Sequence, residues 1–159
     1  MGKASWYWYG LAMVMIILDQ LTKAWMTANL HYGETITLTS FFNFTLLHNT
    51  GAAFSFLSDA GGWQRWFFGA VAGVVSVVLV IWIARLPRKN IWEACALALI
   101  LGGAVGNLYD RVMLGYVVDF IVLHYERYAW PAFNIADSAI CVGAAMLIID
   151  MFRTPRDAA

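Results

Sequence analysis

The chain has 159 residues, 62% of them hydrophobic and 13% charged, with ten basic side chains against ten acidic ones and a mean hydropathy of +0.67. Soluble domains run at about 45–50% apolar and about 25% charged residues, so composition excludes an ordinary soluble enzyme and places the chain in a membrane. Zero formal net charge and no visible basic face exclude an electrostatic case for nucleic acid, and the length suits one integral membrane domain over residues 1–159.

A helix crosses a hydrocarbon core of about 30 Å with about twenty mostly apolar residues. The first candidate runs from Trp6 to Met26. Its apolar part, Trp6 to Leu18, has the length of a signal-peptide core, yet only Lys3 charges the region before it and no small-x-small cleavage signal follows. Asp19, Gln20, Thr22 and Lys23 come instead. Asp19 and Lys23 stand four apart with the acid first, the favourable order for a helical pair, and the helix is expected to continue uncleaved.

About forty residues, Thr27 to Arg65, follow outside the membrane. Thr35 to Thr39 and Phe42 to Leu46 alternate with period two, which predicts a small antiparallel strand pair whose apolar face lies on the membrane surface. His48 to Phe54 reads as a tight connection needing glycine, followed by a short interfacial helix through Phe56. The second span, Trp66 to Ala84, carries no charge, and Arg85, Arg88 and Lys89 crowd the link after it.

The third span is Ile91 to Arg111, with Glu93 expected in solvent at its start. Gly69 with Gly73, and Gly102 with Gly106, have the small-xxx-small spacing of close helix contacts. Gly103, Asn107 and Arg111 recur at i, i+4 and i+8 as one stripe, with Asp110 alongside. An external segment, Val112 to Pro131, contains Asp119 and ends in a turn at Trp130 and Pro131. The fourth span, Phe133 to Phe152, opens with Asn134 and Asp137 on one face and has Asp150 near its other end, close to Arg153. Cys95 and Cys141 lie in apolar runs without metal-ligand or disulfide spacing and read as small buried hydrophobes.

Lys3, the Arg85 to Lys89 link, and Arg153 with Arg156 fall on one side of a four-span chain. By the positive-inside rule that side is the cytoplasm, with both termini there. Asp19 and Lys23, Asn107 to Arg111, and Asn134 with Asp137 then share one depth at the extracytoplasmic end of three spans. The fold class expected is mainly α: a polytopic membrane four-helix bundle with a small extracytoplasmic β element.

Ionisable groups within a span face a bundle interior or a wet cavity, and they usually pair. Asp19 with Lys23 and Asp110 with Arg111 are expected as structural pairs. Two neighbouring carboxylates share a single proton, so that one accepts a proton from water while the other donates to a peptide carbonyl. Asp119 and Asp137, eighteen residues apart, fit this chemistry if the intervening segment folds back. Read by itself, Asp119 is as readily an ordinary loop carboxylate as a catalyst. His31, His48 and His124 lack metal-ligand or triad spacing, and no metal or other cofactor is expected. A small proton-coupled transporter and a non-catalytic factor that binds lipidated proteins are the rival readings; the transporter predicts repeats across two halves, and none is visible.

Asp19-Gln20-Leu21-Thr22-Lys23, Asn49 to Phe54, Gly102 to Arg111, Val117-Val118-Asp119-Phe120 and Phe133 to Ser138 together resemble, in order, the motifs of the lipoprotein signal peptidase (signal peptidase II) family. The resemblance covers the chain from the first span to the fourth. It implies an aspartyl endopeptidase of the bacterial inner membrane that cuts diacylglyceryl-modified prolipoproteins just before the lipidated cysteine, with its active site toward the periplasm. It implies Asp119 and Asp137 as catalytic, and Asp19, Lys23, Asn49, Gly103, Asn107, Arg111, Asn134 and Ala136 as lining or supporting the site. Membrane lipid is the implied surrounding, globomycin the implied inhibitor, and a monomer is expected.

Overall fold

The structure, a computed structural model, describes residues 5–51 and 62–153. Lys3, Arg156, the Ala52 to Phe54 part of the motif after Asn49, and the expected interfacial helix through Phe56 lie outside the described residues. Among the described residues four helices are long and apolar enough to cross a membrane: α1 (Ser5–Asn29), α2 (Gln64–Arg85), α3 (Ile91–Met113) and α4 (Ile135–Arg153). Each covers its expected span within a few residues. Leu86 ends α2 in an extended conformation just before Pro87, as the steric demand of a following proline requires.

The hub is α3, which packs against α1, α2 and α4 and is the most buried of the four. Small residues make this approach feasible. A side chain on Gly102 would meet Met15 Cβ at 2.7 Å and the Ala12 carbonyl oxygen at 2.8 Å, and one on Gly106 would meet Asp19 Oδ2 at 2.7 Å. That glycine pair marks a close contact with α1, whereas Gly73 has nothing within 4 Å and Gly69 only Leu108 at 3.8 Å, so the pair on α2 does not. Toward the end where α2 turns into α3, Ala12, Leu79, Ile83, Leu97 and Leu101 form the apolar core of the bundle.

Four antiparallel strands in the order β1 (Thr35–Thr37), β2 (Phe42–Asn49), β3 (Val117–Tyr125) and β4 (Tyr128–Ala129) cap the other end. The expected strand pair is present as β1 and β2, but it is half of a larger element. The segment expected as a loop around Asp119 is β3, whose residues Val117 to Phe120 are all buried. Val118 and Phe120 pack with Met26, Leu30 and Leu46, which fixes the sheet to the end of α1.

The chain reverses between β3 and β4, at Glu126 and Arg127 and not at the expected Trp130 and Pro131, and the return segment stays on β3. Trp130 donates to the Leu123 carbonyl at 2.7 Å, and Phe133 exchanges hydrogen bonds with Ile121 at 2.9 and 3.1 Å. The start of α4 is therefore delivered beside Val118 and Asp119.

Other expectations change. Cys141 is exposed and lines a cavity beside α4, and Cys95 is half-buried; neither is in a disulfide. Glu93 is half-buried and accepts from Trp82 Nε1 and Asn90 Nδ2, both at 3.0 Å. Gly51 is buried, and its carbonyl accepts from Arg111 Nη2 at 3.0 Å.

Candidate active site

A β-bulge decides what stands beside Asp119. Phe44 pairs with Ile121, but Leu47 pairs with Asp119, so β2 carries one residue more than β3 between these points. Without the extra residue, Leu46 and His48 would share the face of Asp119. With it, Asn49 is the diagonal neighbour, and its Nδ2 donates to Asp119 Oδ2 at 3.0 Å. His48 turns away and stacks on Tyr116 with ring centroids 4.0 Å apart.

Asn134 caps α4, its carbonyl accepting from Ser138 N at 3.1 Å. Its side chain works in two directions. Oδ1 accepts from Asp137 N at 2.9 Å, while Nδ2 donates to Asp119 Oδ1 at 2.7 Å and also lies 3.2 Å from the Val118 carbonyl and Asn107 Oδ1. Asp137, on the third residue of α4, accepts from Asn107 Nδ2 at 2.7 Å through Oδ1 and from Asn134 N at 3.3 Å through Oδ2. Two carboxylates from separate elements are thus held by the amides of Asn49, Asn107 and Asn134.

Asp119 is 3% exposed and Asn134 fully buried, whereas Asp137 is half-buried. Burial pushes the Asp119 carboxyl up from 3.8 to about 7, and the negative charge of Asp137 adds to the rise. The hydrogen bonds from Asn49 and Asn134 and the charge of Lys23 act the other way.

Two cavities flank the carboxylates. One of about 530 Å³ has Asp137, Asn107 and Arg111 at its polar end and Phe133, Ile140 and Val142 among its apolar walls. The other, about 300 Å³, is lined by Asp119 and His48. Asn49, Trp130, Pro131 and Ala132 border both. An extended chain threaded past that shared wall would lie against both carboxylates.

The remaining expected residues fall close by. Lys23 lies 2.7 Å from Asp19 and 2.8 Å from Asp110, so the pairing of Asp19 holds, but Asp110 pairs with Lys23 and not with Arg111. Adjacent residues on a helix point in different directions, and Arg111 instead reaches the carbonyls of Gly51 and Asn107. A side chain on Gly103 would run into the Ala136 carbonyl oxygen, so glycine is what admits the first turn of α4. Sequence reasoning left Gln20 without a role; its Nε2 donates to Asp110 Oδ1 at 2.9 Å. Among the described residues no group of three His, Cys, Asp or Glu side chains is arranged to hold a metal ion.

Four membrane-capable helices with two buried or half-buried carboxylates held at one end have the parts a membrane aspartic peptidase needs, and the comparisons with known proteins decide for that class. The chain belongs to the signal peptidase (SPase) II family, Peptidase_A8, which matches residues 11–153. It is 61% identical over 147 residues to the lipoprotein signal peptidase of Teredinibacter turnerae, covering 92% of this chain and 88% of that one. Identity to the lipoprotein signal peptidase of Pseudomonas aeruginosa is 53% over 157 residues, covering 98% and 92%. A bacterial membrane enzyme solved by the in meso method at 2.3 Å resolution superposes with a TM-score of 0.81 at 30% identity, covering 94% of this chain and 92% of that one.

Proposed function

We propose that Asp119 and Asp137 are the catalytic pair with which this membrane peptidase removes the signal peptide from prolipoproteins, just before a cysteine bearing diacylglycerol. The observation that carries this reading is the Asn134 amide, which bonds to Asp119 with one atom and to the Asp137 backbone with the other, beside a cavity with apolar walls. The reaction follows from the chain's membership of the lipoprotein signal peptidases.

With one proton between two carboxylates, Asp119 holds it near neutral pH, since its carboxyl lies at about 7. Asp137 stands in the first turn of α4, where the helix dipole accommodates negative charge. A water between them gives a proton to Asp137 as its oxygen attacks the scissile carbonyl carbon, and Asp119 donates to the carbonyl oxygen. Collapse of the diol returns that proton to Asp119, breaks the C–N bond, and passes the proton on Asp137 to the departing cysteine nitrogen. Arg111 and Asn49 line the cavity and offer polar atoms to the substrate backbone.

Chain direction supports the setting. By the positive-inside rule Arg85, Arg88 and Lys89 mark the inner side, and on that reading the carboxylates face the periplasm at the bacterial inner membrane, with both termini inside. There a cysteine-linked diacylglycerol stays in the bilayer while its peptide bond reaches the site. Globomycin is expected to block the cleft, and the chain to act as a monomer.

The test is turnover of a diacylglyceryl precursor beside its unlipidated form. The parent should process the lipidated form alone, and Asp119→Asn or Asp137→Asn should each lower kcat by about 10³-fold or more while the protein still inserts. Normal cleavage by either purified variant sinks the pair. Labelling of cysteines placed at Asp59 and Lys89 from the same side would sink the topology.

A further inference from the structure

The residue before each carboxylate of the pair gives its backbone N–H to a further buried carboxylate. Val118 N donates to Asp110 Oδ2 at 3.2 Å, and Ala136 N donates to Asp19 Oδ1 at 2.9 Å. Lys23 joins these two holders, with Nζ 2.7 Å from Asp19 Oδ2 and 2.8 Å from Asp110 Oδ2. Its third proton goes to Asn107 Oδ1 at 2.9 Å. Because an ammonium only donates, this contact fixes the Asn107 amide with its oxygen toward Lys23 and its nitrogen toward Asp137. Gln20 Nε2 supplies the remaining Asp110 oxygen.

Every oxygen of the two holders therefore has an N–H donor, and every ammonium proton an acceptor. Asp19, Lys23 and Asp110 are 0%, 3% and 1% exposed, and none of them is among the described residues that line the two cavities. Substrate does not reach them. Stability alone is a poor account of the cluster, because exchanging a buried ion triad for apolar groups of similar volume is often neutral or stabilising.

We infer that Asp19 and Asp110, coupled through Lys23, are positioning residues that set the spacing and orientation of Asp137 and Asp119. The inference rests on reading those two as the catalytic pair. Asp119 comes from β3 and Asp137 from α4, two residues eighteen apart in a chain that turns back between them. A common cation on α1, holding the peptide next to each carboxyl, refers both to one fixed point. A displacement of about 1 Å at reacting groups costs about 10²-fold in rate, so such a reference point governs turnover rather than binding.

The test compares Asp19→Ala and Asp110→Ala with Asp19→Asn and Asp110→Asn in purified full-length protein, using a diacylglyceryl precursor peptide. Each Ala variant should lose about 10²-fold in kcat with KM within about threefold of the parent. Asp110→Asn keeps one oxygen where both the Val118 N–H and Lys23 Nζ donate, and should recover to within about tenfold of the parent. Asp19→Asn can hold the Ala136 N–H only by turning its amide NH2 toward Lys23, so it should stay close to Asp19→Ala. An Ala variant with parental kcat, a loss confined to KM, Asp110→Asn no better than Asp110→Ala, or Ala variants that do not fold would each overturn the assignment. Asp119→Asn and Asp137→Asn, measured beside them, report on the catalytic pair separately. At Asp110 an isosteric amide rescues the holder of a backbone N–H, but it does not replace a carboxyl that moves a proton.

Discussion

Asn134 and Asp137 bond to each other twice: the Asp137 N–H donates to Asn134 Oδ1 at 2.9 Å, and the Asn134 N–H donates to Asp137 Oδ2 at 3.3 Å. This is the reciprocal arrangement of a capping box, with aspartate in the place usually held by Glu or Gln. The box commits one Asp137 oxygen to the backbone, and Asn107 holds the other. The proposed base is thus oriented by the same contacts that start its helix.

Asn134→Ala should therefore do two things at once. Loss of the cap costs about 1 kcal/mol, and loss of the bond to Asp119 frees the second carboxylate. We expect a lowering of the thermal midpoint by about 2–4 °C together with a fall in kcat of about 10²-fold. Melting and turnover measured on one preparation check it; a loss of stability with full turnover would separate the cap from the chemistry.

Activity should fall on the alkaline side with an apparent pKa near 7, as Asp119 gives up the proton it donates. The Asn49 hydrogen bond lowers the Asp119 pKa, so removing it must raise it. In Asn49→Ala the alkaline limb of kcat should move to higher pH, by on the order of one unit. A limb that stays in place or moves down would assign it to another group.

How much of this was legible in the sequence differs by element. The four spans announce themselves because a bilayer demands length and apolarity whatever the packing, and Trp66 to Ala84 satisfies both without a charge. The common depth of Asp19, Asn107 and Asp137 follows once the spans have direction. By contrast, Val117 to Phe120 is buried on both faces and shows no alternation, so β3 left no period-two signal. Its run of Val, Phe and Ile was the available sign of a strand. The partner of Asp110 differs from expectation for another reason: adjacency in sequence points to Arg111, while the bonded cation, Lys23, lies on another helix. The bulge that brings Asn49 to Asp119 has no sequence mark that we can identify.

Stability should depend on pH through the same carboxyl. The Asp119 pKa is raised in the folded chain to about 7 against 3.8 for the ordinary group. Between these values the folded chain holds a proton that the unfolded chain has released, so stability falls as pH climbs through that window and levels off above it. The whole effect is at most about 4 kcal/mol. Asp119→Asn cannot ionise, so its thermal midpoint should gain on the parent as pH rises from 4 to 8. An unchanging difference over that range would contradict the assignment.

Two glycine substitutions test how α4 is seated. At Gly103 a Cβ would strike the Ala136 carbonyl oxygen and lie 2.7 Å from Ile140 Cγ1, and the first of these is backbone that has no room to retreat without moving Asn134 and Asp137. Gly103→Ala should push the start of α4 outward, costing about 1–3 kcal/mol of stability as overpacking does, and lowering kcat about 10²-fold through the displaced carboxyl. Gly73 has open space around its Cβ position, so Gly73→Ala adds a methyl group at the surface of α2 and should leave turnover unchanged. Any stability change there should be small and favourable, since alanine holds a helix better than glycine. The two variants make the same chemical change, and their contrast isolates the contact with Ala136. Equal turnover in both would mean that α4 can shift without disturbing the site.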